Sequence, residues 1–173
     1  MIQQLNFSDF DTIYGIMEKS FPLTEFRPKS EQAALFENKY YKIIGIKEND
    51  LPIAIAAIWC FDDFIFIEHL ATTPERRGNG LGAQILREII SGTLNAVCLE
   101  VEPPENELTR RRIAFYKRNG MFFNSYPYIQ PSISKGREPI PLFIMTSKGE
   151  IDEQKFIEIK NTLYKEVYKV TSN

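Results

Sequence analysis

A chain of 173 residues, 43% hydrophobic and 25% charged, is long enough to bury a core as one domain without disulfides or metals. Its 21 Lys and Arg against 23 Asp and Glu leave a net charge of -2, which argues against a nucleic-acid binder that works by neutralising phosphates. The longest apolar run, Ile53 to Phe61, is about half of what a membrane helix requires, and the first six residues lack the basic and apolar regions of a signal peptide. The expected location is therefore the cytoplasm, with Cys60 and Cys98 as reduced thiols and no metal set.

In chain order, Ile2 to Phe7 reads as a short strand. A helix to about Ser20 follows, with Ser8 as N-cap and Asp9 and Asp11 in its first turn. Pro22 stops it, and Ser30 caps a second short helix. Tyr40 to Ile46, Leu51 to Phe61 and Phe64 to Ala71 then form an antiparallel meander, separated by polar turn residues. Leu81, Ile85, Leu86, Ile89 and Ile90 recur at helical spacing, and Ser91-Gly92 ends that helix. Ala96 to Glu102 alternates as a strand, with Val97, Leu99 and Val101 on one face and Cys98, Glu100 and Glu102 on the other. A helix from about Leu108 to Asn119 stops at Gly120. Strands near Met121 to Tyr128 and Leu142 to Thr146 follow, and an amphipathic helix from about Asp152 to Tyr168 presents Phe156, Ile159, Leu163 and Val167. Hairpins followed by strand–helix–strand–helix specify an α/β layer fold on a mixed sheet, whose one crossover makes its two strands parallel.

The segment Pro74-Glu75-Arg76-Arg77-Gly78-Asn79-Gly80-Leu81-Gly82 joins a buried strand to an amphipathic helix. Alternating glycines let the backbone turn sharply and approach a ligand closely. The helix start offers unbonded N–H groups and the positive end of its dipole, a natural seat for phosphate. Without Gly-Lys-Ser/Thr, the nucleoside triphosphatase loop is excluded. Gly78-Asn79-Gly80-Leu81-Gly82-Ala83 satisfies a relaxed dinucleotide fingerprint, with Glu100 or Glu102 about 20 residues on. The polar stretch Thr72 to Arg77 before the first glycine weighs against that reading, which stays open as an NAD-binding oxidoreductase.

Arg77-x-x-Gly80-x-Gly82 after a strand resembles the acetyl-CoA pyrophosphate loop of the GNAT N-acetyltransferase superfamily. The run Ile113-Ala114-Phe115-Tyr116-Lys117-Arg118-Asn119-Gly120-Met121-Phe122 resembles the second signature of that superfamily, and Leu99-Glu100-Val101 the strand before it. The likeness runs from about Tyr40 to Phe123 and is of bacterial type. It implies a single acetyltransferase domain over residues 1–173, of three-layer α/β form. Its mixed, mostly antiparallel sheet would have about six to seven strands, with helices on both faces and a helix at the C-terminus. It further implies acetyl transfer from acetyl-CoA to a primary amine by direct attack. Main chain at Leu70, Ala71 and Thr72 would pair with the pantetheine arm, and N–H groups around Arg77, Gly78, Asn79, Gly80, Leu81 and Gly82 would hold the pyrophosphate. Thr109 stands where many members carry an asparagine that touches pantetheine, and Arg112 where a small residue is usual. These departures keep a non-catalytic CoA- or acyl-CoA-binding module open as an alternative.

Two proton transfers are required by the chemistry: an ammonium must lose a proton, and a departing thiolate must gain one. Tyr116 matches the acid of the family. Glu68, set in the apolar run Phe66-Ile67-Glu68-His69-Leu70, ranks first as base or substrate anchor. Glu100 follows as a second catalytic carboxylate, and Glu102 with Tyr128 as residues for the acceptor. His69, next to Glu68 on a strand, is expected to face the other way, and Cys98 to act as a small apolar filler. The acceptor is a small-molecule or peptide amine. Neither nucleic acid nor membrane is an expected partner, and the chain is expected to be a monomer or homodimer.

Overall fold

The computed structural model describes residues 1–170. The seven strands follow the order β1-β2-β3-β4-β5-β7-β6 in one sheet, mostly antiparallel. They are β1 (Ile2–Leu5), β2 (Tyr41–Glu48), β3 (Leu51–Cys60), β4 (Phe64–Thr72), β5 (Ala96–Val101), β6 (Met121–Gln130) and β7 (Ile140–Ser147). The helices are α1 (Phe10–Ser20), α2 (Lys29–Ala34), α3 (Leu81–Ser91), α4 (Glu107–Arg118) and α5 (Glu153–Thr162). The chain divides into two compact units, Met1–Cys98 and a second that begins at Leu99, so the division falls within β5.

The first unit holds the β1–β4 meander. Trp59, Phe66, Ile55, Ile85, Leu86, Ile13 and Met17 are each fully buried in it, because β3 and β4 carry apolar residues on both faces and α1 and α3 each carry an apolar stripe. Two expected caps differ. Asn6 and Asp9 form a capping box on a 3-10 turn over Phe7–Asp9, so α1 starts at Phe10 and Ser8 caps nothing. Pro28, not Ser30, occupies the N-cap of α2, since a proline's missing N–H costs nothing at a helix start.

In the second unit, β6 and β7 pair around an irregular segment between Asn124 and Tyr128. Pro127 lies there, on the last strand of the sheet, where a residue without an N–H is tolerated. Asn124 bridges the irregularity: its amide donates to Ile144 O (3.0 Å) and Thr146 Oγ1 (2.9 Å), and its oxygen accepts from Ile151 N (2.9 Å). Phe156, Ile159 and Leu163 are buried, as their spacing predicts. The C-terminal helix nevertheless changes type. It is α-helical to Thr162 and then widens to a π turn at Leu163–Val167. Among the described residues no helix is long and apolar enough to cross a membrane.

Candidate active site

The glycine segment leaves β4 through a 3-10 turn at Pro74–Arg76 and enters α3 at Leu81. Gly78 (φ 81°) and Gly80 (φ 76°) are left-handed, a conformation that costs any L side chain about 1–2 kcal/mol. Gly80 is the N-cap of α3, and no side chain of the described residues caps it. The first N–H to find a helical acceptor is that of Gln84, bonded to Gly80 O at 2.9 Å, so the N–H groups of Leu81, Gly82 and Ala83 have no partner within the helix. Gly78, Asn79 and Gly80 are exposed, and a Cβ added at either glycine would meet nothing within 4 Å. Arg77 is exposed and donates to Lys19 O at 3.3 Å; Arg76 pairs with Glu48. The loop is an open, positively polarised rim of backbone donors.

Just before it, β4 carries a bulge. Ala57 pairs with His69 and Ile58 with Ile67, which leaves Glu68 as the extra residue. A bulge re-aims side chains, and this overturns the expectation that Glu68 and His69 face opposite ways. Both side chains are buried, with His69 Nδ1 3.8 Å from Glu68 Oε2. The Glu68 carboxylate accepts from Arg27 Nη1 at 2.7 Å and from Trp59 Nε1 at 3.0 Å. Burial alone would raise its pKa; the Arg27 charge, with help from His69 and the Trp59 bond, outweighs this and holds it below the ordinary glutamate value. His69 Nε2–H donates to Glu25 O at 2.7 Å, and Tyr14 Oη donates to Arg27 O at 3.2 Å. Burial pushes the His69 imidazole down, against the pull of Glu68, and its buried Nδ1 has no hydrogen-bond partner among the described residues. Two contacts, Arg27–Glu68 and His69–Glu25, therefore tie the α1–α2 connection to the bulge, and Tyr14 ties that connection to α1. Leu70, Ala71 and Thr72 continue β4 in register with Ala56, Ile55 and Ala54.

In the second unit the carboxylates have other partners. Glu100 accepts from Tyr128 Oη at 2.6 Å, and from Tyr168 Oη at 2.8 Å on Oε1 and 2.7 Å on Oε2. Glu102 lies one residue past the end of β5, where the strand alternation no longer applies, and pairs with Arg112 at 2.5 Å. The unusual arginine thus has a local partner. Thr109 is buried in the N-terminal box of α4: its N–H donates to Asn106 Oδ1 (3.0 Å), and its hydroxyl donates to Asn106 O (3.0 Å). Tyr116 is half-buried on the last full turn of α4, its ring 5.3 Å from that of Phe115. Arg27, Trp59 and Tyr168 escaped sequence reasoning. Arg27 lies 41 residues from Glu68 with no local pattern to link them, and Tyr168 falls outside the Leu163–Val167 stripe.

Residues 39–120 match the family model of the acetyltransferase (GNAT) domain. A solved structure from Bacteroides thetaiotaomicron, named as a GNAT-family acetyltransferase, shares 31% identity and a TM-score of 0.86, over 99% of this chain and 99% of that one. The chain belongs to the GNAT acetyltransferase family. GNAT enzymes are acyltransferases that use acetyl-CoA, and YjbC of Bacillus subtilis (strain 168), named as an acetyltransferase, is 31% identical to this GNAT chain over 110 residues. That match covers 61% of the chain and 54% of YjbC, about half the length of this curated relative. The yncA structure from Salmonella typhimurium, with its cofactor acetyl-CoA, shares the GNAT fold at 17% identity and TM-score 0.60, over 88% and 94% of the two chains. The residues present here fit such a group. The uncapped N–H groups of α3, the two left-handed glycines and Arg77 have the donor and charge chemistry that an anionic group of this kind requires.

Proposed function

We propose that the whole chain works as one N-acetyltransferase domain, moving an acetyl group from acetyl-CoA to a primary amine of a small molecule, peptide or protein by direct attack. The observation that carries this reading is the uncapped start of α3 behind Gly78 and Gly80, at the end of β4. When bound, acetyl-CoA supplies a thioester carbonyl open to attack. N–H groups from Gly78 through Gly82, with the Arg77 side chain, bind its anionic end, and the main chain of Leu70 to Thr72 aligns the pantetheine arm. Thr109, which matches a pantetheine-touching position of the family, is bonded to Asn106 in the α4 cap.

The proton work falls to Glu100 and Tyr116. An amine arrives as an ammonium, and Glu100, oriented by phenols, takes its proton directly or through water. Glu68 ranks first by sequence, but its carboxylate is held by Arg27 and Trp59, so in this reading it anchors the bulge and the α1–α2 connection. Tyr116 gives its hydroxyl proton to the departing sulfur. Glu102 and Tyr128 help to bind the acceptor. The enzyme works in the cytoplasm, where acetyl-CoA is made available to it.

Calorimetric titration with acetyl-CoA, with NAD in parallel, tests the reading first. Micromolar binding of acetyl-CoA and none of NAD is expected, followed by transfer to at least one member of a broad amine panel. Binding without transfer to any amine would favour the CoA-binding module, and NAD binding alone would favour the oxidoreductase.

A further inference from the structure

The end of α5 departs from an ordinary helix at the place where it meets Glu100. Over Leu163–Val167 the backbone widens to a π turn, and the Tyr168 N–H donates to Leu163 O at 3.0 Å. In a regular α-helix, position i+5 lies about 140° around the axis from position i, so Tyr168 would leave the buried face that Leu163 occupies. The i→i+5 bond stacks the two instead. As a result Leu163, Val167 and Tyr168 are all buried, at 0%, 3% and 6% exposure. Burying a phenol is unfavourable unless its hydroxyl is bonded, and here it finds Glu100.

The Tyr168 hydroxyl oxygen lies 2.8 and 2.7 Å from the two oxygens of that carboxylate, while Tyr128 from β6 donates to Oε1 at 2.6 Å. Tyr164, in the π turn itself, packs its ring 5.9 Å from Tyr128 and donates to Ile129 O. Burial and the Glu100 charge raise its phenol. The titratable groups facing Glu100 from neighbouring elements thus include Tyr128, Tyr164 and Tyr168. Two phenol donors on one carboxylate fix its orientation and favour its charged form. Filling the space alone would need only the ring.

We propose that Tyr168 is a positioning residue for Glu100, delivered by the π turn to orient the carboxylate and keep it deprotonated. The proposal rests on the reading of Glu100 as the base of the reaction. It makes the C-terminal turn part of the catalytic apparatus.

The test is Tyr168→Phe, which keeps the ring and removes one hydroxyl. In the protein without acetyl-CoA, the Glu100 carboxyl is followed by carbon NMR as pH is varied, its signal assigned by its loss in Glu100→Gln. The titration is expected to move up by about one pH unit, because a donor to the charged form is gone. The acidic limb of kcat/KM should move with it, and kcat should fall about tenfold from lost orientation, with KM little changed. A role in packing alone would alter stability without moving the titration. Should Tyr168→Phe fold poorly, Tyr168→Met, which also lacks a donor and adapts its shape, reads the same shift. An unmoved Glu100 titration in a folded variant overturns the proposal. Full activity of Glu100→Gln at every pH would instead overturn the base reading, and is told apart because the NMR shift needs no substrate.

Discussion

Glu68 on β4 and Glu100 on β5 are both strand carboxylates in apolar surroundings, and their partners differ in kind. Glu68 is gripped by a guanidinium and an indole N–H, in a pair whose side chains are 6% and 2% exposed. Glu100 is gripped by phenols. A buried guanidinium cancels a charge and costs a great deal to remove, so it suits an anchor. A phenol orients a carboxylate without cancelling its charge, so it suits a group that must exchange a proton. The comparison teaches that two strand glutamates are set apart by the partners folding gives them, more than by residue type or strand.

The sharpest way to break this contrast is Arg27→Leu. It leaves the buried Glu68 carboxylate without its charge partner, and a loss of about 3–5 kcal/mol is expected in urea denaturation. Arg27→Leu with Glu68→Leu should recover most of that loss, and a deficit below about 1 kcal/mol in the single variant would undo the anchor assignment. Glu100→Gln is the mirror experiment. Steady-state kinetics should find kcat reduced by about 10²–10⁴, while the urea midpoint moves far less than in Arg27→Leu. Equal stability losses in the two variants would erase the distinction.

Gly80→Ala touches neither carboxylate. The added Cβ meets nothing within 4 Å, so the cost is backbone strain at φ 76°, about 1–2 kcal/mol. It should appear mainly as weaker acetyl-CoA binding by calorimetry, with the Glu100 titration unchanged.

Acid weakens the anchor region in two steps of the same sign. His69 is held below its ordinary 6.5, so the unfolded chain binds more protons there, and stability falls as pH drops below 6.5. Glu68 is held below its ordinary 4.5. Its contribution is complete above 4.5 and is lost as pH falls through its depressed value. His69→Gln should therefore flatten the stability profile between about pH 7 and 5 and leave the steeper loss at lower pH. A slope between pH 7 and 5 that survives the substitution would place its origin elsewhere. The smallest effect belongs to the solvent-exposed Glu107–Arg111 pair on α4, 74% and 76% exposed: Arg111→Ala should change stability by no more than about 0.5 kcal/mol.

Much was legible because it is local. Apolar runs between turn residues marked every strand from β2 to β7 within a few residues, with clear alternation in β5, and helical spacing marked α3 and α5. The glycine loop could be read as an anion seat because left-handed turns and helix starts are written in neighbouring residues. The motif around Tyr116 is likewise continuous, and its glycine stop coincides with Gly120 in the left-handed region at φ 90°. Caps were less legible. Ser8 and Ser30 have suitable chemistry, but Asn6 and Pro28 hold the positions, since a cap depends on where the chain enters the helix.

The sequence by itself therefore determined the layer architecture, the order of elements and the place where backbone N–H groups gather, all consequences of spacing over a few residues. Tertiary structure alone decided which carboxylate meets an arginine and which meets phenols. One extra residue in β4 turned Glu68 toward an arginine 41 positions away, and one wide turn after α5 brought Tyr168 to a glutamate 68 positions away. Each is a one-residue slip in a regular repeat. A repeat read from sequence averages over such slips, whereas folding takes them up wherever a buried charge or hydroxyl gains a partner.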